Sequence, residues 1–206
     1  MPDQFQNSIR FFRMKFWYRD KIISSWEKNG KQLPAPHQLK QIIIESYQKK
    51  YKYNILVETG TYLGHMVEAE RRNFKTIYSI ELDDNLWKNA VEKFRKYSHI
   101  NILYGDSGKM LNKVTLQLNE PGIFWLDGHY SGEGTAKGDK ECPIYGEIDA
   151  IFKEKKFDHI LLIDDARLFV GKADYPTIPE LTKYVQAKDP RYNALVETDV
   201  IRYTVA

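Results

Sequence analysis

Two apolar runs end in acids, Trp125-Leu126-Asp127-Gly128-His129-Tyr130 and Leu162-Ile163-Asp164-Asp165-Ala166-Arg167. If these runs lie side by side, Asp127, Asp164 and Asp165 converge. Carboxylates held within a few ångströms repel one another, at about 1.4 kcal/mol for each pH unit of displaced titration. Such a trio calls for a cation, and oxygen-only ligation suits Mg²⁺, Mn²⁺ or Ca²⁺ rather than zinc. Capping of strand ends with no metal is the other reading. His129 follows Asp127 by two positions. An imidazole of ordinary pKa, ~6.5, is mostly neutral at pH 7 and can take a proton. A hydroxyl bound to a divalent ion is easier to deprotonate than a free one, so His129 is the candidate base, with extra metal ligand or structural histidine as alternatives. Arg167 is a candidate ligand clamp or a simple ion-pair partner. Tyr130 and Ser131 open a polar, glycine-containing loop over 130–143 that is expected to shape an acceptor pocket.

A second set of residues suits a nucleoside. Val57-Glu58-Thr59-Gly60-Thr61-Tyr62-Leu63-Gly64 closes an apolar run with an acid and then turns through two glycines. Glycine in such a turn lets backbone approach a ligand closely, and a helix start offers free N–H groups. Glu81 ends the next apolar run, where a carboxylate can accept from ribose hydroxyls. Gly105-Asp106-Ser107 follows the third. Asp106 can accept from an exocyclic amine, and Ser107 is expected to cap the helix behind it. A dinucleotide-binding turn would need a further glycine where Tyr62 stands, and a P-loop would need a Lys-Ser/Thr pair.

The elements that must position these residues alternate. Helices are expected over 37–51, from the Gly64 turn to about 73, and over 84–97, 108–118, 144–156 and 177–187. Strands are expected over 54–58, 76–81, 100–104, 122–127 and 159–164, with a final pair over 194–197 and 200–205 turned near Asp199. The strands are continuous apolar runs, as when both faces of a parallel sheet are covered. The fold class is therefore α/β: a doubly wound, mostly parallel seven-stranded sheet with a C-terminal antiparallel strand pair. In such sheets ligands sit beyond the carboxyl ends of the strands, where the acids accumulate.

Taken in this order, the acids and turns resemble the class I S-adenosylmethionine-dependent methyltransferases over residues 54–206. The resemblance implies that Glu58, Thr59, Gly60, Tyr62 and Gly64 hold the amino-acid part of S-adenosylmethionine. It implies Glu81 and Leu82 at the ribose and Asp106 and Ser107 at the adenine, with Asp127 closing the pocket. Many members carry glycine where Tyr62 stands. The acids after the fourth and fifth strands further resemble the Mg²⁺-dependent sugar O-methyltransferases of macrolide and aminocoumarin biosynthesis. That implies metal ligation by Asp127, Asp164 and Asp165, with the base two residues after the first ligand. The family has an Asp at that place, and this chain has His129.

Composition sets outer limits. The chain has 206 residues with a formal net charge of +3, a length that suits one domain with a short extension. Residues 1–53 carry eleven Lys and Arg against four Asp and Glu, so the remainder has an acidic excess. A basic front on an acidic body argues against nucleic acid as a partner and fits a cationic cofactor. Residues 8–26 read as a basic amphipathic helix, packed on the domain or on a second copy in a homodimer, or touching a membrane surface, or covering a substrate. The expected organisation is a helical extension and linker over 1–36 and a cofactor-binding domain over 37–206. One cysteine, Cys142, allows no internal disulfide, and no secretory core or apolar run of about 18 residues is visible, so a cytoplasmic location is expected. Together these readings give an O-methyltransferase, metal-assisted, acting on a sugar or other small polar hydroxyl compound. The alternatives are a metal-free O- or N-methyltransferase with His129 as base, and a non-catalytic nucleoside-binding scaffold subunit.

Overall fold

The computed structural model describes residues 18–128 and 142–205. The chain divides into two compact units, Met1–Ile43 and Ile44–Ala206. The first contains helix α1, helical over the described residues 18–28, and the start of α2 (His37–Tyr51). The expected helix over 8–26 lies partly outside the described residues. Among those described, no helix is long and apolar enough to cross a membrane.

In the second unit strands and helices alternate: β1 (Ile55–Thr59), α3 (His65–Glu70), β2 (Thr76–Glu81), α4 (Asp84–Phe94), β3 (Ile100–Tyr104), α5 (Ser107–Gln117), β4 (Gly122–Leu126), α6 (Ile144–Phe152), β5 (Ile160–Ile163), α7 (Ile178–Lys188), β6 (Tyr192–Glu197) and β7 (Val200–Val205). A short 3₁₀ turn, Ala166–Leu168, follows β5. The seven strands form one sheet in the order β3-β2-β1-β4-β5-β7-β6. All neighbours pair in parallel except β5–β7 and β6–β7. The expected fold class is therefore the observed one.

The reason is visible in the strands. β1, β4 and β5 are buried at every position. Val57, Phe124 and Leu161 join a core completed by Leu111 and Val114 of α5, Ile148 and Ile151 of α6, and Leu181 and Val185 of α7. Leu56, Ile77, Ile123 and Leu162 alternate with them and are equally buried, so both faces are covered. Burying a Leu, Ile, Val or Phe side chain contributes about 1.5–3 kcal/mol, which fixes the register. A one-residue slip would carry Glu58 and Ser79 to the wrong face.

Register places the chemistry. Thr59 pairs with both Ile80 and Leu126, and Leu126 with Ile163. The residues that follow β1, β2, β4 and β5 thus emerge at one edge of the sheet. Asp164 N–H donates to the carbonyl of Leu126 at 3.1 Å, tying the tips of β4 and β5 together. The β6–β7 hairpin turns through Thr198 and Asp199, both in the left-handed region, the geometry of a two-residue hairpin turn that matches strand twist.

Candidate functional site

The turn after β1 is pinned to β2 rather than left open. Gly60 N–H and Thr61 N–H both donate to the Ile80 carbonyl, at 2.9 and 3.2 Å, and Gly64 N–H donates to the Thr61 carbonyl at 2.8 Å. Tyr62 N–H donates to Glu81 Oε2 at 2.7 Å. The hydroxyls of Thr61 and Ser79 lie 2.6 Å apart. Tyr62 takes φ +48, a conformation disfavoured for a bulky residue, and holds it through the Glu81 bond. Gly60 is needed where it stands. At φ +82, a Cβ there would come 2.5 Å from the carbonyl oxygen of Asp127. This close passage brings the turn against the tip of β4. The turn uses these N–H groups internally, so it is a poor cradle for phosphate.

Each predicted cofactor residue has a definite place. Glu58 is 2% exposed. It faces inward and accepts from the Ser79 hydroxyl in a very short contact. Burial, with Glu81 and Glu70 nearby, pushes its carboxyl up to about 8 despite that bond. Glu58 is thus mostly protonated at pH 7. It supports the turn from below, although the resemblance placed it at the cofactor. Thr59 is likewise buried, and its hydroxyl accepts from Asp127 N–H and Gly128 N–H at 3.2 and 3.1 Å. It positions the β4 tip.

Glu81 accepts Tyr62 N–H on one carboxylate oxygen and Asp83 N–H, at 2.8 Å, on the other. A carboxylate oxygen has two lone pairs, so each keeps one for a ligand hydroxyl. Leu82 follows it, partly exposed. Beside them Tyr62, Leu63 and Tyr104 are about half exposed, apolar surface suited to a nucleoside base.

Asp106 caps α5, accepting from Lys109 N–H at 3.0 Å. This corrects the expected cap. Ser107 is the first helical residue and is buried, because the longer reach of Asp106 at the preceding position already meets the orphan N–H. Gly64 precedes α3 at φ +67, where a Cβ would come 2.7 Å from the Phe94 ring.

The acid trio does not gather as a ligand set. Asp164 is fully buried, and one of its oxygens accepts Asp165 N–H at 2.7 Å. Asp165 sits in the left-handed region at φ 54. Its carboxylate accepts from Arg167 Nη1 at 2.6 Å. The same nitrogen makes a very short contact with Asp199 Oδ2, and Arg167 N–H donates to Asp199 Oδ1 at 2.9 Å. The Arg167 guanidinium therefore pairs with Asp165 and with Asp199 of the β6–β7 hairpin. Among the described residues no three His, Cys, Asp or Glu side chains group as a metal site. Metal ligation by Asp127, Asp164 and Asp165 does not fit this arrangement. Arg167, a candidate substrate clamp, is held between two acids.

His129, Tyr130 and Ser131 lie outside the described residues. Several participants were not singled out in the sequence. Ser79, Thr61 and Asp199 are hydroxyls and an acid whose role depends on pairing across the sheet. Glu147, in the first turn of α6, is buried, with Oε1 3.2 Å from where a Gly128 side chain would begin. An acid opening an apolar helix beside the glycine-containing loop was its only sequence signal. Cys142 is buried, and burial pushes its thiol up to about 12, so it is no nucleophile.

No family model matches the chain, and no curated protein matches its sequence. Solved structures do match its fold. The SAH-bound methyltransferase PaMTH1 of Podospora anserina is 16% identical at a TM-score of 0.57, over 100% of this chain and 97% of that one. The O-methyltransferase of Bacillus cereus in complex with SAH is 11% identical at a TM-score of 0.60, over 91% and 90%. The O-methyltransferase TomG of Streptomyces achromogenes, involved in tomaymycin synthesis and solved with SAM, is 13% identical at a TM-score of 0.59, over 91% and 88%. This chain has the fold of these methyltransferases.

Proposed function

We propose that this protein is an S-adenosylmethionine-dependent methyltransferase that modifies a hydroxyl of a small, polar, sugar-like acceptor without a divalent ion. The observation that carries the reading is the set of strand tips. Glu81 has lone pairs left for ribose hydroxyls, Asp106 stands at the next tip, and the pinned turn between Gly60 and Gly64 passes against Asp127. The turn suits a cationic amino-acid cofactor better than a pyrophosphate, since its N–H groups are already satisfied. The shared fold of SAM- and SAH-bound O-methyltransferases supports the donor and the hydroxyl acceptor.

Bound there, S-adenosylmethionine supplies an electrophilic methyl group. The chain's part is to hold donor and acceptor in line, and such orientation supplies much of a rate enhancement. Thr59 fixes Asp127 and Gly128, the last described residues before His129, through their N–H bonds. His129 takes the acceptor proton in this reading. Arg167, between Asp165 and Asp199, gives the strand-tip acids their counter-charge in place of a metal.

The test is transfer of a labelled methyl group from S-adenosylmethionine to a panel of sugars, phenols and amines in excess EDTA. Transfer to a hydroxyl compound, lost in His129→Ala with cofactor binding retained, is the expected result. Transfer that stops in EDTA and returns with Mg²⁺ would establish metal assistance instead. Cofactor binding with no transfer to any acceptor would favour a scaffold role.

A further inference from the structure

The opposite end of the sheet contains a cavity of about 360 Å³, in the size range of small-molecule sites. It lies at the amino ends of β4 and β5, away from the strand tips that carry the acids. Phe152, Phe157 and Tyr192 contribute aromatic wall, and His159 lines it between them. The rings are mutually edge-on: Phe152 to Tyr192 at 5.0 Å and Phe157 to His159 at 5.9 Å between centroids. The Tyr192 hydroxyl donates to the His159 carbonyl at 2.8 Å, which fixes that wall to the strand.

His159 is the informative residue. It is 6% exposed, and its Nδ1 accepts from Gly122 N–H at 3.1 Å. A backbone N–H can only donate, so Nδ1 carries no proton and the neutral ring carries it on Nε2. Burial holds the ring neutral, with its pKa lowered to about 4. Among the described residues no group accepts the Nε2 proton. Nε2 is not sealed from solvent, so a ligand in the cavity can accept its proton in place of water.

Charge at the rim selects the kind of acceptor. Lys188 pairs with Asp149 at 2.6 Å, and Arg191 pairs with Asp158 and Asp189 at 2.7 and 2.6 Å. Lys155 also lines the cavity, within Coulombic reach of Asp189 but in no ion pair of contact distance among the described residues. We propose that this cavity binds a small aromatic carboxylate, its ring against the aromatic walls and its carboxylate accepting from His159 Nε2–H with Lys155 alongside. Nothing in the proposed methyl-transfer site is involved, so the two readings stand or fall separately.

The experiment is a titration of ¹⁵N-labelled protein with 1-naphthoate, following the ring nitrogens of His159 by NMR. The neutral isostere naphthalene-1-carboxamide is the control. A saturable shift of the His159 Nε2–H signal is expected, with the amide at least tenfold weaker. Lys155→Gln, at an exposed position, should weaken naphthoate about fivefold with an unchanged Tm, and His159→Phe should abolish the response. Should His159→Phe fail to fold, the Lys155→Gln and amide arms still decide. A His159 signal that does not move, or equal affinity for acid and amide, would overturn the proposal and leave the cavity to water.

Discussion

Replacing Glu58 with glutamine should change how stability depends on pH more than it changes stability at pH 5. Glu58 is fully buried, accepts from Ser79, and titrates near 8 in the folded chain against an ordinary value of 4.5. Burial is the main cause, with Glu81 and Glu70 adding repulsion. The sign follows from proton binding. Between 4.5 and 8 the folded chain keeps a proton that the unfolded chain gives up, so unfolding becomes easier as pH rises through that window. Below about 4.5 both states are protonated and nothing is lost; above 8 both are charged and the loss is complete. At ~1.4 kcal/mol per pH unit the full interval is worth about 5 kcal/mol. Glu58→Gln keeps the shape and an acceptor for Ser79 but cannot ionise. Urea unfolding of both proteins at pH 5, 6, 7 and 8 gives the comparison. The wild type should lose stability steadily relative to the variant, by about 3–4 kcal/mol between pH 5 and pH 8. Parallel pH profiles would refute the claim that Glu58 is buried as a neutral acid.

Gly60→Ala should destabilise the chain by about 2–4 kcal/mol and abolish S-adenosylmethionine binding, because its Cβ would meet the Asp127 carbonyl at 2.5 Å in a left-handed conformation; thermal unfolding and calorimetry check both. Arg167→Ala should cost about 3 kcal/mol by leaving the buried Asp199 carboxylate without its cation, and Asp199→Asn should restore part of it in the double variant, as urea unfolding would show. Thr59→Val leaves Gly128 N–H without its acceptor, while Asp127 N–H keeps the Thr59 carbonyl, and should cost about 1–3 kcal/mol; labelled-methyl assays on the folded variant should show a lower kcat.

The strand-tip acids could be read from the chain because each terminates an unbroken apolar run, and a parallel sheet sends such ends to one edge. Glu81, Asp106 and Asp164 were placed by that logic alone. What the acids do there was harder to read. Asp165 and Arg167 are neighbours in sequence, but Asp199 joins them from the β6–β7 hairpin, 32 positions away. That contact exists because β7 inserts antiparallel beside β5, and it gives Asp165 a guanidinium partner that local pattern does not reveal. Glu58 read as a ligand because an acid at a strand end is normally solvated. Its pairing with Ser79 depends on the β1–β2 register, which local pattern does not reveal. Helix ends moved for local reasons. α3 stops at Glu70, where Arg71 to Asn73 turn toward β2, and α5 begins one residue earlier because Asp106 caps it.

Whether an S-adenosyl cofactor sits at these strand tips is tested most directly by calorimetry of S-adenosylhomocysteine against wild type, Glu81→Gln and Asp106→Ala, in EDTA. The wild type should bind without metal, and Glu81→Gln should lose about 10- to 100-fold, the range for hydrogen bonds to a charged acceptor. Asp106→Ala should lose less, since it removes a single acceptor. Wild-type binding unaffected by Glu81→Gln, or no binding at all, would contradict the placing of an S-adenosyl cofactor at these strand tips.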